Sequence, residues 1–575
     1  MSIDTEGAAP SAASESVTQP TPREGFVAGL LASSSAAFIL IAGSAVTGTT
    51  GFLELVHNGA TRYVPLPLFE AAVSTLGPLA KSLLFLGIVA VLVLAGGVIG
   101  ALAVRFGLIE RRSTWTDGLF MGGLAWLIAE LVVLPLFGAG FLGSSAVVNP
   151  GPLHVPLGVA SLGYGLVLVG LVRSVGRAPA SAVPTLPPAP EQTPGLQPAE
   201  AARSQPADAA RSEPAEAGGM PRRTFLGRSL VVVGLAALAG TAVGVASRLA
   251  HALSVGVTGS ARPQAPGGFG PTPKITPVND FYVIGKDLVP TTIDVGSWHL
   301  TVSGMVDRPQ AYGLDDIRAM PAVEDYRTLQ CISNDIVRFG ALISTQRWRG
   351  VPARVVLEAA GVQAAATHVL WRSADGYTES IPLGVAMDER TWLAYEMGPP
   401  GTALTPDHGF PLRVLIAGRY GMKQPKYLVE MIVADHDEPG YWEQRSWDQT
   451  AAVRTYSRID EPLDGDDVPA EGSFGVYGVA SAGDRGIARV EVSSDGGATW
   501  HQAEIEPPLS QLSWVRWRTQ VEAGGTRRLE LLARATDQQG NVQDATPRPT
   551  LPSGATGLHR ISVTAVPTSA SPTGG

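Results

Sequence analysis

Asp407-His408-Gly409-Phe410-Pro411-Leu412-Arg413 is the stretch that decides how the C-terminal half of this chain reads. It runs on through Arg419, Lys423 and Lys426. Residues 408–429 therefore hold five potentially cationic groups and no acid. Leu412 to Ile416 and Tyr427 to Ala434 have strand character, so the basic run lies on and between two strands. Such a stretch can cradle an anion, with arginine giving a bidentate fork to phosphate. The alternative is a solvated basic strand face.

Around this run, residues 271–450 mix short strands and helices. Trp298-His299-Leu300-Thr301-Val302-Ser303-Gly304 alternates like a strand. Leu314 to Met320 predicts a short helix, and Val351 to Ala360 a helix that stops at Gly361. The pattern is that of an α+β domain. Its other chemical feature is Leu329-Gln330-Cys331-Ile332-Ser333-Asn334. Cys331 is the single cysteine of the chain. It can form no internal disulfide, no Cys-rich zinc site and no iron–sulfur cluster. It is either a buried apolar filler or a thiolate with a task.

From Arg454 onward the pattern changes to short strands. Val476 to Ala480, Ile487 to Ser493, Trp514 to Gln520 and Leu529 to Ala535 are separated by turn signals. Asp495-Gly496-Gly497 predicts a hairpin between Val490-Glu491-Val492 and Trp500. Regular strands at this spacing predict an all-β, immunoglobulin-like sandwich.

Toward the N-terminus the chain becomes apolar. Of 575 residues only 16% are charged, 42 basic against 51 acidic, where a soluble chain has about 25%. The net charge of −9 argues against a nucleic-acid partner. Gly29 to Thr47, Ser82 to Val104, Gly118 to Phe141, Pro152 to Val172 and Ser229 to Ser247 are each near the roughly 20 residues a membrane-spanning helix needs. Arg105, Arg111 and Arg112 come after the second run, Arg173 and Arg177 after the fourth, and residues 142–151 carry no basic group. The positive-inside rule then puts the N-terminus in the cytoplasm. Glu130 lies in the third run, where a carboxylate is expensive. It is either functional or a protonated side chain bonded to a neighbouring helix. His154 and His251 lie at the outer ends of spans.

Residues 178–219 are rich in Pro, Ala and Glu and have no aromatic residue, the composition of a linker. Pro221-Arg222-Arg223-Thr224-Phe225-Leu226-Gly227-Arg228 comes next, then the fifth apolar run. This reads as a twin-arginine signal, or as plain positive-inside arginines on a last span. Either reading puts the residues beyond about 250 outside the cytoplasm. The organisation expected is a tail (1–25), four spans (26–174), a cytoplasmic linker (175–220), a twin-arginine motif with a fifth span (221–250), a tether (251–274), the α+β domain (275–450), the sandwich (451–566) and a short tail (567–575).

Taken together, these segments resemble the sulfite oxidase family of molybdenum enzymes over about Ile275 to Val563. Thr276-Pro277-Val278-Asn279-Asp280-Phe281-Tyr282 looks like that family's pterin segment. Cys331 falls at its metal-ligating cysteine. Leu393-Ala394-Tyr395-Glu396-Met397 and the run 407–413 match its most recognisable stretch. Val490 to Trp500 and Arg534 to Asn541 look like its dimerisation domain. The resemblance implies a molybdenum–molybdopterin cofactor with Cys331 as metal ligand. It implies that Asn279, Tyr282, Val283, Ser373 and Asp375 line the pterin. His408 and Arg413 would hold the cofactor, and Gln424, Pro425 and Lys426 would close over it. Two chains would pair through the sandwich.

The departures concern the substrate. Family positions occupied by sulfite-binding arginines fall on Ile284 and Ile336, with a third near Leu551. The active-site tyrosine falls on Trp447. An apolar pocket leaves a dianion unpaired and desolvated, so the expectation is a membrane-anchored, extracytoplasmic oxidoreductase that does not turn over sulfite. Its small-molecule substrate would be neutral or weakly charged, such as a sulfoxide. The electron partner would be a quinone or a separate cytochrome. The alternative is a membrane-anchored binding protein that has lost its cofactor.

Overall fold

The computed structural model describes most of residues 19–175, residue 240, and residues 268–567 apart from 287–289 and 336–340. The chain separates into two compact units, one of residues 1–38, 91–126 and 159–241, the other of residues 39–90, 127–158 and 242–575.

Among the described residues, four helices are long and apolar enough to cross a membrane: Pro22–Ser44, Ser82–Arg105, Thr114–Leu136 and Leu153–Ser174. They lie within α1 (Pro22–Thr47), α3 (Leu79–Arg105), α4 (Thr114–Ile128) with its continuation to Leu136, and α5 (Gly151–Val175). A short α2 (Phe52–Ala60) has no counterpart among the apolar runs, since nine residues carrying Glu54 and His57 are no membrane-length signal. Apart from Gly240, the predicted fifth span lies outside the described residues, as do the twin-arginine motif, residues 176–220 of the linker and His251.

Thr21 and Glu24 form a capping box at the start of α1. Glu24 N donates to Thr21 Oγ1 (3.3 Å) and Thr21 N to Glu24 Oε2 (2.7 Å), with Pro22 in the first turn, where its missing N–H is harmless. In the first unit, glycines bring backbones together. A Cβ on Gly29 would lie 2.2 Å from Gly96 O, and one on Gly100 2.2 Å from Gly25 O. This is the small-residue packing that replaces the hydrophobic drive inside lipid. Arg173 pairs with Asp117 at 2.5 Å in the same unit.

In the second unit, α4 widens into a π turn at Ala129–Val133, just before Pro135, which has no N–H to return to the preceding turn. Glu130 lies in that turn, is fully buried, and meets His154 Nδ1 at 2.7 Å. The bond to a neighbouring helix is therefore present, and its partner is a histidine.

Residues 300–434 form two sheets. One runs β2–β1–β9–β5–β6, with β1 (Leu300–Gly304) parallel to β9 (Leu428–Ala434), and with β2 (Gln310–Tyr312), β5 (His368–Ser373) and β6 (Thr378–Pro382) antiparallel to their neighbours. The other is antiparallel and runs through β3 (Val323–Gln330), β4 (Ile343–Pro352), β7 (Trp392–Met397) and β8 (Arg413–Leu415). A core of Leu300, Ile317, Val356, Trp371, Leu393, Val414 and Met431 fills the first region. Phe281, Trp348, Trp392 and Leu415 fill a second. The helix predicted from Val351 begins at Ala353. Val351 and Pro352 stay in β4, where they pair with Leu393 and Trp392, so sheet pairing overrides the helical periodicity. Gly361 ends the helix in the left-handed region, φ 73°, which glycine adopts without strain.

The C-terminal sandwich has two sheets, one running β10 (Tyr456–Glu461), β12 (Ser473–Ser481), β16 (Val515–Glu522), β15 (Glu504–Ile505), the other β11 (Asp467–Pro469), β18 (His559–Val566), β17 (Arg527–Asp537), β13 (Ile487–Ser493), β14 (His501–Gln502). Val476, Val490, Trp517, Leu531 and Val563 fill the space between them. The predicted hairpin is present: β13 (Ile487–Ser493) pairs with β14 (His501–Gln502), and Asp495 caps the turn by accepting from Thr499 N at 2.9 Å.

Candidate functional site

Cys331 comes directly after β3. Its N–H donates to Leu342 O (3.0 Å), its Sγ lies 3.0 Å from Ser333 Oγ, and it is buried. The entering segment is pinned beside it. Thr276 N donates to Thr345 O (2.8 Å), and Gln346 Nε2 to Thr276 O (2.8 Å). The segment then makes the turn Val278–Asp280 and delivers Phe281 and Tyr282, which stack on each other at 5.4 Å. Tyr282 N donates to Ser344 Oγ on β4 at 3.2 Å. Burial, with Cys331 adding to it and Arg413 opposing, holds the Tyr282 phenol well above its ordinary pKa.

His408 and Arg413 stand next to this pair. His408 is 4% exposed and meets Phe281 edge-on at 5.3 Å. Burial foremost, with Arg413 adding, pushes its pKa down to about 4. It is therefore neutral near pH 7. Its Nε2 lies 3.2 Å from Val278 O, and a carbonyl only accepts, so Nε2 carries the proton and Nδ1 is left as an acceptor. Arg413 donates to His408 O (3.1 Å) and to Gln424 O (3.4 Å). Burial lowers it to about 10, so it remains charged.

Ser373 and Asp375 form the turn after β5. Ser373 N donates to Tyr377 O (2.9 Å), Tyr377 N to Asp375 Oδ1 (2.9 Å), and Ala374 N to Tyr427 O (2.8 Å). Val414 N donates to Pro425 O (2.8 Å), Gln424 Nε2 to Arg419 O (2.8 Å), and Lys426 Nζ to Asp407 O (2.9 Å). Backbone pairing thus draws 373–374, 412–414 and 424–428 together. Gly409, at φ +102°, lets Lys426 close over it, since a Cβ there would lie 2.9 Å from Lys426 Cβ. Asn279 is exposed on its turn and Val283 is half-buried.

The basic run does not converge as one cradle. Lys423 turns away, into Glu379 and Glu443. Arg419 donates to Thr450 O on an exposed edge. His408 is uncharged at neutral pH. Arg413 and Lys426 are the two cations of the run placed with the predicted pterin residues.

Trp447 joins Ile332, Tyr420, Met422, Ala451 and Val453 in a buried apolar cluster, with Leu551 and Trp442 packed against it. Tyr420 is raised by burial, with Cys331 contributing, which places this cluster beside the thiol. Sequence reasoning named Trp447 and Leu551 but missed Ile332, Tyr420 and Met422. Ile332 follows Cys331 and Met422 precedes Lys423, which was their one signal, and Tyr420 had only the neighbouring Arg419. Ile284 is half-buried, and Ile336 lies outside the described residues.

The residues present fit a buried polar group. Ser373 Oγ, Arg413 Nε and Gln330 Oε1 are all buried and have no hydrogen-bond partner among the described residues. Each such atom costs about 1–3 kcal/mol unless something satisfies it, and these three, among the several the described residues leave open, belong to residues expected at the cofactor or beside Cys331. Two donors and an acceptor, with His408 Nδ1 as a further acceptor, match the mixed donor and acceptor edges of a pterin with its phosphate.

Comparison with known proteins gives a consistent result. Residues 287–442 match the oxidoreductase molybdopterin binding domain and residues 448–564 the Mo-co oxidoreductase dimerisation domain. Sulfite oxidase of Gallus gallus is 31% identical over 316 residues, which cover 47% of this chain and 68% of that protein. Mitochondrial sulfite oxidase of Homo sapiens is 32% identical over 322 residues, covering 48% and 58%. The chain thus spans a little over half the length of the mitochondrial relatives it matches. The nitrate reductase [NAD(P)H] of Hordeum vulgare is 30% identical over 332 residues, 47% of this chain and 37% of that protein. Among solved structures, the sulfane dehydrogenase SoxCD from Paracoccus pantotrophus matches at TM-score 0.44 and 20% identity, over 52% of this chain and 85% of that one.

Proposed function

The chain belongs to the sulfite oxidase family of molybdopterin-dependent enzymes, and we propose that it is a membrane-anchored, extracytoplasmic oxidoreductase that acts on a substrate other than sulfite, with Cys331 as the protein ligand to molybdenum. When bound, the cofactor supplies exchange of two electrons and of an oxygen atom. The chain's own residues hold and shape the site. The Cys331 thiolate suits a soft coordination position, and Ser333 Oγ at 3.0 Å can donate to it and favour the charged sulfur. Arg413 Nε and Ser373 Oγ would donate to the pterin group, His408 Nδ1 and Gln330 Oε1 would accept from it, and Lys426 would counter its phosphate.

The observation that carries the substrate reading is the apolar cluster of Ile332, Trp447 and Leu551 beside Cys331. A sulfite dianion placed there would lose its hydration against apolar walls, since the arginines that act on Tyr420, Arg454 and Arg485, are engaged with Ser553 O and Asp537. A neutral molecule such as a sulfoxide loses far less. Electrons would pass to a quinone or a separate cytochrome. Pairing of two chains through the dimerisation domain belongs to the same reading, as does an orientation with the loop before α5 outside.

The test is metal and pterin analysis of the full chain purified from membranes, and then turnover assays. About one molybdenum and one pterin per chain is the expected stoichiometry, with sulfoxide turnover and negligible sulfite turnover. Sulfite oxidation at the efficiency of a sulfite oxidase would overturn the substrate assignment. Absence of molybdenum, in a host that loads other molybdenum enzymes, would overturn the enzyme assignment.

A further inference from the structure

Lys423 is 3% exposed, yet it lies between two carboxylates that are themselves buried. Its Nζ donates to Glu379 Oε1 at 2.7 Å, to Ser380 O at 3.2 Å and to Glu443 Oε1. Two buried acids on one buried ammonium leave one negative charge too many, and low-dielectric surroundings remove such an excess by keeping a proton. Other polar groups face the trio. Tyr377 Oη lies 3.5 Å from Glu379 Oε2 and donates to Met422 O at 2.5 Å. Gly440 N donates to Glu443 Oε2 at 2.8 Å. Asp375 and Tyr441 act on Tyr377, while Asp437 feels His368 and Lys423. Arg445 and Lys286 lie over the Tyr441 ring, 3.8 and 5.8 Å from its centre. Among the described residues no second cation bonds to either carboxylate of the trio to balance the extra acid.

The three residues come from three segments that also meet the candidate site. Lys423 ends the turn Gly421–Lys423, in which a Cβ on Gly421 would lie 3.1 Å from Tyr282 Oη and 3.6 Å from the O of Gln330, the residue before Cys331. Met422, between them, packs in the cluster with Ile332 and Trp447. Glu443 opens the turn Glu443–Arg445, and Trp447 N closes that segment by donating to Trp442 O at 3.2 Å. Glu379 lies on β6, next to the turn that holds Ser373 and Asp375.

We propose that Glu379, Lys423 and Glu443 are a one-proton positioning unit for the site, fastening the turn beside Cys331 to the segment that carries Trp447 and loosening when the shared proton is lost. This rests on the proposed molybdenum chemistry for what the unit positions, but not for the proton itself. Burial foremost, with Glu443 adding and Lys423 opposing, raises Glu379 to about 8, which agrees with the charge count. A carboxyl raised above its unfolded value binds more protons when folded, so its contribution to stability falls as pH rises from the usual carboxylate range to about 8.

The experiment compares the full-length wild type with Glu379→Gln. Glutamine keeps an oxygen for Lys423 and imitates the protonated acid. Melting temperature is measured from about pH 6 to about pH 9, and the difference between variant and wild type should widen by on the order of 5 °C up to about pH 8, where the folded wild type alone keeps the proton, and level off above it. In the molybdenum-loaded protein, the Mo(V) midpoint potential read by paramagnetic resonance should bend near the same pH in the wild type only. Lys423→Arg should keep both behaviours. A melting difference that stays constant with pH sinks the proton unit. A difference that widens with no change in the potential sinks its link to the site. A widening difference in a chain that holds no molybdenum would instead sink the functional reading and leave the proton unit standing.

Discussion

Two groups of side chains make up the candidate site, and they are built on different terms. His408, Arg413, Gln330 and Ser373 are buried polar residues, three of them with atoms that no described residue satisfies. Ile332, Tyr420, Met422, Trp447 and Val453 are apolar or aromatic and fill one another's surroundings. The first group is complete only when another molecule supplies its hydrogen bonds. The second is complete by itself except at Trp447 Nε1, a buried donor that no described residue satisfies. The lesson is a division of labour that can be measured. Changes in the polar group should reach the cofactor before they reach stability, and changes in the apolar group should do the reverse.

The largest effect falls where the two groups meet. Cys331→Ser keeps the shape but replaces a soft thiolate by a hard, protonated hydroxyl. Retained molybdenum and turnover should each drop by about 100-fold or more, since even supporting residues of metal sites are worth roughly 10–100-fold. The melting temperature of the cofactor-free chain should hardly move. Full activity in this variant would remove the division, because the residue at its centre would then be filler.

Trp447→Ala tests the apolar side. Removing a buried indole should cost about 3–5 kcal/mol of stability, read by denaturant unfolding, while the pterin content of the folded fraction stays near that of the wild type. Loss of pterin at unchanged stability would show that the tryptophan belongs to the cofactor group instead.

The acid side of the pH profile gives a third measure. His408 is held down to about 4 in the folded chain, against about 6.5 when unfolded. The unfolded chain therefore binds the extra proton between these values, and stability falls as pH drops through that window. The full effect is about 3 kcal/mol. His408→Gln should flatten this part of the curve.

Much of this was legible in the linear pattern. The run 407–413, the cysteine and the Asp-Gly-Gly hairpin each lie within a few consecutive residues, so local chemistry suffices to read them. Four apolar runs gave four helices because twenty uncharged residues have few other solutions. What escaped was nonlocal. Lys423 looked like one more cation of the cradle, because its partners stand 44 and 20 residues away and only folding shows that they claim it. Ile332, Tyr420 and Met422 carry no chemical signal of their own and matter through what they exclude. The helix predicted from Val351 began late because β7 offered its first two residues a sheet partner, a contact no helical periodicity records.

The smallest predicted effect is also the sharpest test of the division. Ser373 is fully buried at the end of β5, and its backbone N–H is already satisfied by Tyr377 O. Only its hydroxyl is left without a partner. Ser373→Ala removes that hydroxyl and almost nothing else. In the cofactor-free chain the change should be neutral or slightly stabilising, because an unsatisfied buried group disappears. In the loaded chain it should cost about 1 kcal/mol of cofactor binding, roughly a five-fold faster loss of pterin. Opposite signs in the two states are what a residue made for an absent partner must give. A residue that merely packs the end of a strand would give the same sign in both, and the distinction between the two groups would then have to be abandoned at this position.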